Sequence, residues 1–245
     1  MIAIVGTHRD DILYFDSIIS EKKKKMIFDK FEVIEGMIFN QEIILVYDMF
    51  TSYLSSALLM HILDKNFVNL VIVVGKCKAF SNNLKIGDIV ISHEVVIGDV
   101  DQIENASALL GQVPGFSRTY PIQLDVISYV EDALQKRTVT NYHVGTYVSS
   151  NTTYQRREEL NKIADGDSIY GYNKNIVLDS ISGGVAISCA VHKIPFIAVK
   201  VVDKKLDDKY NVENYLKVLD SFTKVGKAVV TTIGDIGRKD VMRIK

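Results

Sequence analysis

A layered α/β fold with a mixed central sheet follows from three observations on the 245-residue sequence. Short apolar runs alternate with amphipathic, helix-period stretches. Several runs, such as Ile2–Val5 and Leu70–Val74, are apolar at every position, so both faces of those strands are buried and helices must cover the sheet on both sides, giving three αβα layers. A hairpin signal around Gly36 adds antiparallel strands, which makes the sheet mixed.

Taken in order, Ile2–Val5 is a buried strand ended by Gly6. Residues 10–25 read as a helix with Ile12, Leu13, Phe15, Ile18 and Ile19 on one side. Its lysine run, Lys22–Lys25, then suits a solvated helix C-terminus better than a binding patch. Phe31–Ile34 and Met37–Phe39 flank Glu35-Gly36 as a hairpin, and Glu42–Val46 continues as a strand. Thr51–Leu63 is helical, with Ser52, Ser55 and Ser56 among its leucines. Leu70–Val74 is a central strand ending at Gly75. Ile86–Ile91 and Val95–Ile97 are extended, residues 121–136 form an amphipathic helix, and Tyr142–Ser150 is a strand. Ile181–His192 is a helix that ends before Pro195. Phe196–Val202 is an apolar strand interrupted only by Lys200, and Val212–Ile233 is a long amphipathic helix. With no linker rich in Pro, Gly or Ser and no internal repeat, residues 1–245 read as one domain.

Composition removes several function classes. Lys+Arg 29 against Asp+Glu 30 leaves a net charge of −1, which offers no electrostatic footprint for nucleic acid. No apolar run reaches the ~18 residues of a spanning helix, and the opening Met1–Gly6 is too short for a signal segment. The two cysteines, Cys77 and Cys189, show no Cys-x-x-Cys spacing and suit a reducing, cytoplasmic setting. After the first strand the chain reads Gly6-Thr7-His8-Arg9-Asp10-Asp11, so the dinucleotide fingerprint is missing, as are a P-loop and a nucleophile elbow. No histidines lie at metal-ligand spacing. Neither a metal nor a cofactor is expected.

The remaining signal is a pair of motifs: Leu84–Glu94, with Lys85-Ile86-Gly87-Asp88-Ile89-Val90-Ile91-Ser92 at its heart, and Gly111-Gln112-Val113-Pro114-Gly115. Together with Asp99-Val100-Asp101, these resemble the nucleoside phosphorylase/nucleosidase superfamily. Within it, the chain most resembles the 5′-methylthioadenosine/S-adenosylhomocysteine nucleosidase branch, over about residues 2–233. The resemblance implies a phosphorylase/hydrolase-like fold and a small-molecule nucleoside as ligand. It also implies a homodimer, because the Gly111–Gly115 loop of such nucleosidases lies near the dimer interface.

The same resemblance locates the site, and the chain departs from the pattern there. Asp11 falls at the position of a catalytic glutamate. An aspartate is one methylene shorter, setting the carboxylate back by roughly 1.5 Å, and a displacement of about 1 Å can reduce rate about 100-fold. Asp10 and Asp11 equally suit the first turn of a helix. At the small-residue ribose segment only Gly75 is kept, followed by Lys76, Cys77 and Lys78. These lysines either turn outward or bring charge to a phosphate- or carboxylate-bearing ligand. The purine-contacting stretch corresponds to Val148-Ser149-Ser150-Asn151-Thr152-Thr153-Tyr154, with Thr153 at the stacking aromatic and Tyr154 beside it.

Counting back from Pro195, Asp179, Ser180 and Ile181 match the family's Glu-Met-Glu, so the residue that would bind the ribose hydroxyls is Ile181. The base-protonating aspartate falls on Lys204 without a gap, or on Asp203 if the strand carries a one-residue bulge. Two readings follow. One is a divergent purine-nucleoside N-ribosyl hydrolase in which Asp11 activates water and Asp203 or Lys204 assists release of the base. The other is a catalytically silent relative that binds a nucleoside-like ligand or a partner subunit. Phosphorolysis is less favoured, because Arg9 is a lone candidate for a phosphate site.

Overall fold

The computed structural model describes residues 1–101, 109–152, 175–206 and 212–243. The described elements run β1 (Ile2–Gly6), α1 (Arg9–Ile18), β2 (Ser20–Ile27), β3 (Phe31–Ile38), β4 (Gln41–Val46), α2 (Ser52–Lys65), β5 (Leu70–Ala79), β6 (Ile89–Ile97), β7 (Thr119–Pro121), α3 (Leu124–Gln135), β8 (Tyr142–Ser149), β9 (Ile176–Asp179), α4 (Ser182–His192), β10 (Phe196–Lys205) and α5 (Val212–Arg243). The strands form one mixed sheet in the order β10-β6-β8-β9-β5-β1-β4-β3-β2, with β7 on β6. Helix α2 packs on α4, and α1 and α3 pack on α5.

Strand β5 organises the sheet. Its first half, Leu70–Val74, lies between β1 and β10, both parallel to it. Its last residues, Lys78 and Ala79, pair antiparallel with β9 instead of β1. Because β10 also pairs β5, the strands β5, β10, β6, β8 and β9 close on themselves. The exchange of neighbours falls just after Gly75, whose φ of +140° is open to glycine and strained for other residues. At the sequence level this strand ends at Gly75; in the fold it continues through the glycine, carrying Lys76, Cys77 and Lys78 to the sheet's end.

The expected helix over residues 10–25 stops at Ile18. Lys22–Lys25 lies in β2, the last strand of the sheet, paired to β3. A terminal strand studded with lysine resists pairing with foreign strands. Three of these lysines also bind acids: Lys22 to Asp16 at 2.5 Å, Lys24 to Glu32 at 3.1 Å and Lys25 to Glu35 at 2.5 Å. The hairpin signal at Gly36 is displaced as well. Gly36 lies inside β3, opposite Ile43 of β4. The β2–β3 turn is made by Phe28 and Asp29, both with φ above +50°, and closed by Lys30 N–H donating to the Ile27 carbonyl at 3.2 Å. That is the geometry of a type I′ hairpin turn.

The serines of α2 also gain a reason. Ser52 Oγ donates to the Ser180 carbonyl at 3.0 Å and Ser55 Oγ to the Ile181 carbonyl at 3.1 Å, tying α2 to the entry of α4. The approach is close enough that a Cβ on Gly184 would lie 2.1 Å from the Ser52 carbonyl oxygen. Gly184→Ala is therefore expected to push the two helices apart and to cost about 1–3 kcal/mol, read from the midpoint of denaturant unfolding.

Candidate functional site

At the end of the sheet where β5 changes neighbours lies a cleft of ≈ 360 Å³, lined by the β1–α1 turn, β5, the β9–α4 junction and the end of β10. Asp11, Lys76, Cys77, Lys78, Asp179, Ser180, Asp203 and Lys204, eight residues singled out from the sequence, all line it, together with Thr7, His8 and Leu178.

Asp11 occupies the first turn of α1 and is 4% exposed. Its Oδ2 accepts the backbone N–H of His8 at 2.9 Å, while Oδ1 is buried with no hydrogen-bond partner among the described residues. The carboxylate lies against Gly75, where a Cβ would come within 2.9 Å of Oδ2. The glycine thus serves twice, in turning β5 and in admitting Asp11. Burial raises the pKa of Asp11, opposed by the His8 N–H and the charges of Lys200 and Lys76.

The β10 strand carries the bulge on which the choice between Asp203 and Lys204 turned. Val202 pairs with Cys77 and Lys204 with Lys78, leaving Asp203 as the extra residue. The architectural motif holds the strand just before it. Gly87 N–H donates to the Val202 carbonyl at 2.9 Å, and Val202 N–H donates to the Asp88 carbonyl at 2.9 Å. Asp88 in turn accepts the Lys85 N–H at 2.8 Å, closing the Lys85–Asp88 turn. Burial raises the pKa of Asp203, the Lys204 and Lys76 charges oppose the rise, and the negative charge of Asp11 adds to it.

Asp179 faces inward on a residue that the motif reading passed over. Lys200, with a fully buried side chain, forms an ion pair with Asp179, whose side chain is 1% exposed. Asp179 also accepts from Ser182, through its hydroxyl and through its N–H at 3.2 Å. The pair joins β10 to the start of α4. The signal for Lys200 was present, since it is the single charge in an apolar strand, where only a paired ion is tolerated.

Other candidates lie elsewhere. Ile181 is fully buried, belongs to the hydrophobic core and does not line the cleft. The position where the resemblance led us to expect a ribose-binding group thus holds an apolar side chain in the interior. The junction lines the cleft through Leu178, Asp179 and Ser180. Thr153 and Tyr154 lie outside the described residues. Arg9 lies beside Glu32 at 3.9 Å and over the Tyr47 ring, and is not part of the cleft lining. No cluster of three potential metal ligands occurs among the described residues, and no described helix is long and apolar enough to cross a membrane.

The sequence model of the family described as Phosphorylase superfamily matches residues 4–234. The chain belongs to the phosphorylase superfamily. Within it, the chain is similar to the 5′-methylthioadenosine/S-adenosylhomocysteine nucleosidase of an Exiguobacterium strain, 21% identical over 86% of this chain and 88% of the relative. The fold is that of the nucleosidase from Neisseria meningitidis, solved in complex with methylthio-immucillin-A, at TM-score 0.82 and 19% identity over 95% and 97% of the two chains. It is also that of a futalosine hydrolase mutant from Helicobacter pylori, at TM-score 0.83 and 16% identity over 96% and 98%. The superfamily scaffold therefore spans nearly the whole chain.

Proposed function

We propose that this superfamily member hydrolyses the N-glycosidic bond of a purine nucleoside or thionucleoside, as a divergent relative of the methylthioadenosine/S-adenosylhomocysteine nucleosidases. The observation that carries the reading is the β10 bulge, which makes Asp203 the extra residue and sets it in the same cleft as Asp11. Two carboxyl groups with unequal surroundings suit an acid and a base. Burial raises both, opposed at Asp11 by the His8 N–H, Lys200 and Lys76 and at Asp203 by Lys204 and Lys76, with the negative charge of Asp11 adding to the rise at Asp203. The resemblance assigns the roles, with Asp203 as the proton donor and Asp11 as the acceptor.

In the reaction, the protonated Asp203 carboxyl gives its proton to a ring nitrogen of the base. The bond between C1′ and the base nitrogen breaks, and its electron pair leaves with the base. The ribose passes through an oxocarbenium-like state. A water oxygen then bonds to C1′ while Asp11 accepts the water's proton. Asp11 lines the cleft in which that water must sit, and its buried Oδ1 has no protein partner among the described residues. The resemblance adds a homodimer to the proposal, which light scattering of the full chain checks.

The test is release of adenine from methylthioadenosine or S-adenosylhomocysteine by the purified chain. Asp11→Asn is expected to slow that release by about 100-fold or more, and an unchanged rate would remove Asp11 from the mechanism. The pH profile of kcat/KM should be bell-shaped. Its acid limb, where Asp11 becomes protonated, should lie above the ordinary aspartate value of about 4. A specific observation favours the competing reading of a silent binder: Ile181 leaves the cleft without the ribose-binding carboxylate that the resemblance calls for. Ligand-dependent thermal stabilisation with no base release from any nucleoside would establish that reading instead.

A further inference from the structure

We infer that the sugar freed in this cleft is passed to a neutral, apolar alcohol as well as to water, the alcohol being seated in a second cavity between α1 and α5. The inference rests on the hydrolase reading above and deepens it by naming a second class of acceptor. The cavity has a volume of ≈ 450 Å³, against ≈ 360 Å³ for the cleft, and Asp11 and Lys76 line both. The two spaces therefore adjoin at the carboxylate that takes the proton in the proposed reaction. Among the described residues, Asp203 lines the cleft and not this cavity. The cavity thus adjoins the side from which the sugar is attacked, away from the group that serves the departing base.

The walls suit a neutral, apolar body. Val218, Leu219 and Phe222 line the cavity from α5, and Leu13 and Tyr14 from α1. One end is closed where the helices touch, since a Cβ on Gly226 would come within 2.5 Å of the Tyr14 ring. The exposed Tyr215 and Leu219, nearer the start of α5, mark the mouth. Lys76 is the single cation of the described lining, and its ammonium lies over the Phe222 ring, 5.9 Å from the centroid. Asp10 and Asp11 also line the cavity, so an anionic acceptor such as phosphate would meet two acids and one engaged cation. A neutral alcohol meets no such repulsion. Size points the same way. One water takes up about 30 Å³, whereas organic ligands fill pockets of roughly 300–1,000 Å³. A cavity of this volume beside the proton acceptor holds far more than the water that hydrolysis consumes.

The step keeps the chemistry of hydrolysis and changes the nucleophile. Asp203 gives its proton to a ring nitrogen of the base, and the bond between C1′ and the base nitrogen breaks, its electron pair leaving with the base. The alcohol oxygen bonds to C1′ while its O–H proton passes to Asp11. The products are the free base and an O-glycoside of the alcohol, and the proton gained by Asp11 balances the one lost by Asp203. An alcohol held beside Asp11 competes with bulk water because binding raises its effective concentration there.

The experiment incubates the full chain with methylthioadenosine or adenosine, alone or with methanol or benzyl alcohol, and measures adenine, free sugar and O-glycoside by mass spectrometry. At equal alcohol concentration, benzyl glycoside is expected to exceed methyl glycoside by about tenfold or more, the discrimination that an apolar pocket exerts. Thr223→Trp, which fills the cavity from an exposed position, and Leu219→Glu, which charges its half-exposed wall, should each lower that ratio by about tenfold. Adenine released with free sugar as its only partner would overturn the inference and leave the hydrolase standing. Equal capture by the two alcohols, or a ratio unmoved by both variants, would do the same. Adenine released only when benzyl alcohol is present would sink the hydrolase reading and leave this inference standing. No adenine under any of these conditions would overturn both.

Discussion

Asp203→Asn is expected to slow base release by about 100- to 10,000-fold and, at neutral pH, to make the protein more stable. The first effect follows from the bulge. Asp203 is the extra residue between Val202 and Lys204, so its carboxyl lines the cleft while its neighbours keep the ladder to β5. Asparagine keeps the shape and loses the transferable proton. The second effect follows from the sign of the pKa shift. Burial raises the folded-state pKa of Asp203 above its unfolded value. Such a group favours the folded state below its unfolded pKa, and that contribution is lost as pH rises through the folded pKa. At neutral pH the half-buried carboxylate is therefore a liability, which the amide removes. Thermal unfolding of the two proteins should diverge as pH rises from about 4, with the variant melting higher. An active variant would eliminate Asp203 as the acid. Lower stability at neutral pH would show that the carboxylate makes native contacts outweighing its burial.

Lys200→Met is expected to cost about 3–5 kcal/mol of stability. The ammonium is fully buried, and Asp179 beside it is nearly so. Removing the cation leaves Asp179, among the described residues, with the Ser182 hydroxyl and N–H as its remaining hydrogen-bond partners. Adding Asp179→Asn should recover much of the loss, because the amide oxygen can still accept from Ser182 and no uncompensated charge remains. Denaturant midpoints of the two single variants and the double variant complete the cycle. A single variant as stable as the parent would mean that the pair is not a buried ion pair. The charge of Lys200 also holds down the pKa of Asp11. If enough folded Lys200→Met is recovered, the acid limb of its pH profile should move upward, which a purely structural role would not produce.

The elements most legible in the sequence were those with strong local periodicity. The runs of β1 and the first half of β5 are apolar on both faces, and the stretches at α2, α3 and α4 carry helical spacing with terminal signals, so each was readable within a residue or a few, whereas the continuation of β5 past Gly75 to Ala79 was not. Strand β2 was not. Its lysine-rich sequence has no apolar alternation because it forms the end of the sheet, and its turn uses Phe28 and Asp29 where Asn-Gly would have announced it. The four residues of β9 are too few to assign by pattern. In the site, the family resemblance marked much of the lining in advance, since Asp11, Lys76, Asp179, Ser180 and Asp203 fall at positions it singles out.

By itself, then, the sequence determined the class of scaffold, the order of most strands and helices, and the short list of charged residues at their ends, because these depend on local periodicity and on motifs contiguous in the chain. Tertiary structure decided which of Asp203 and Lys204 is the extra residue, since a bulge exists only relative to a partner strand. It also decided that Ile181 enters the core, that Lys200 lies beneath Asp179, and that three lysines meet in one cavity. Each of these depends on distances between segments far apart in sequence, and only the packing of β5, β10 and α4 sets those distances.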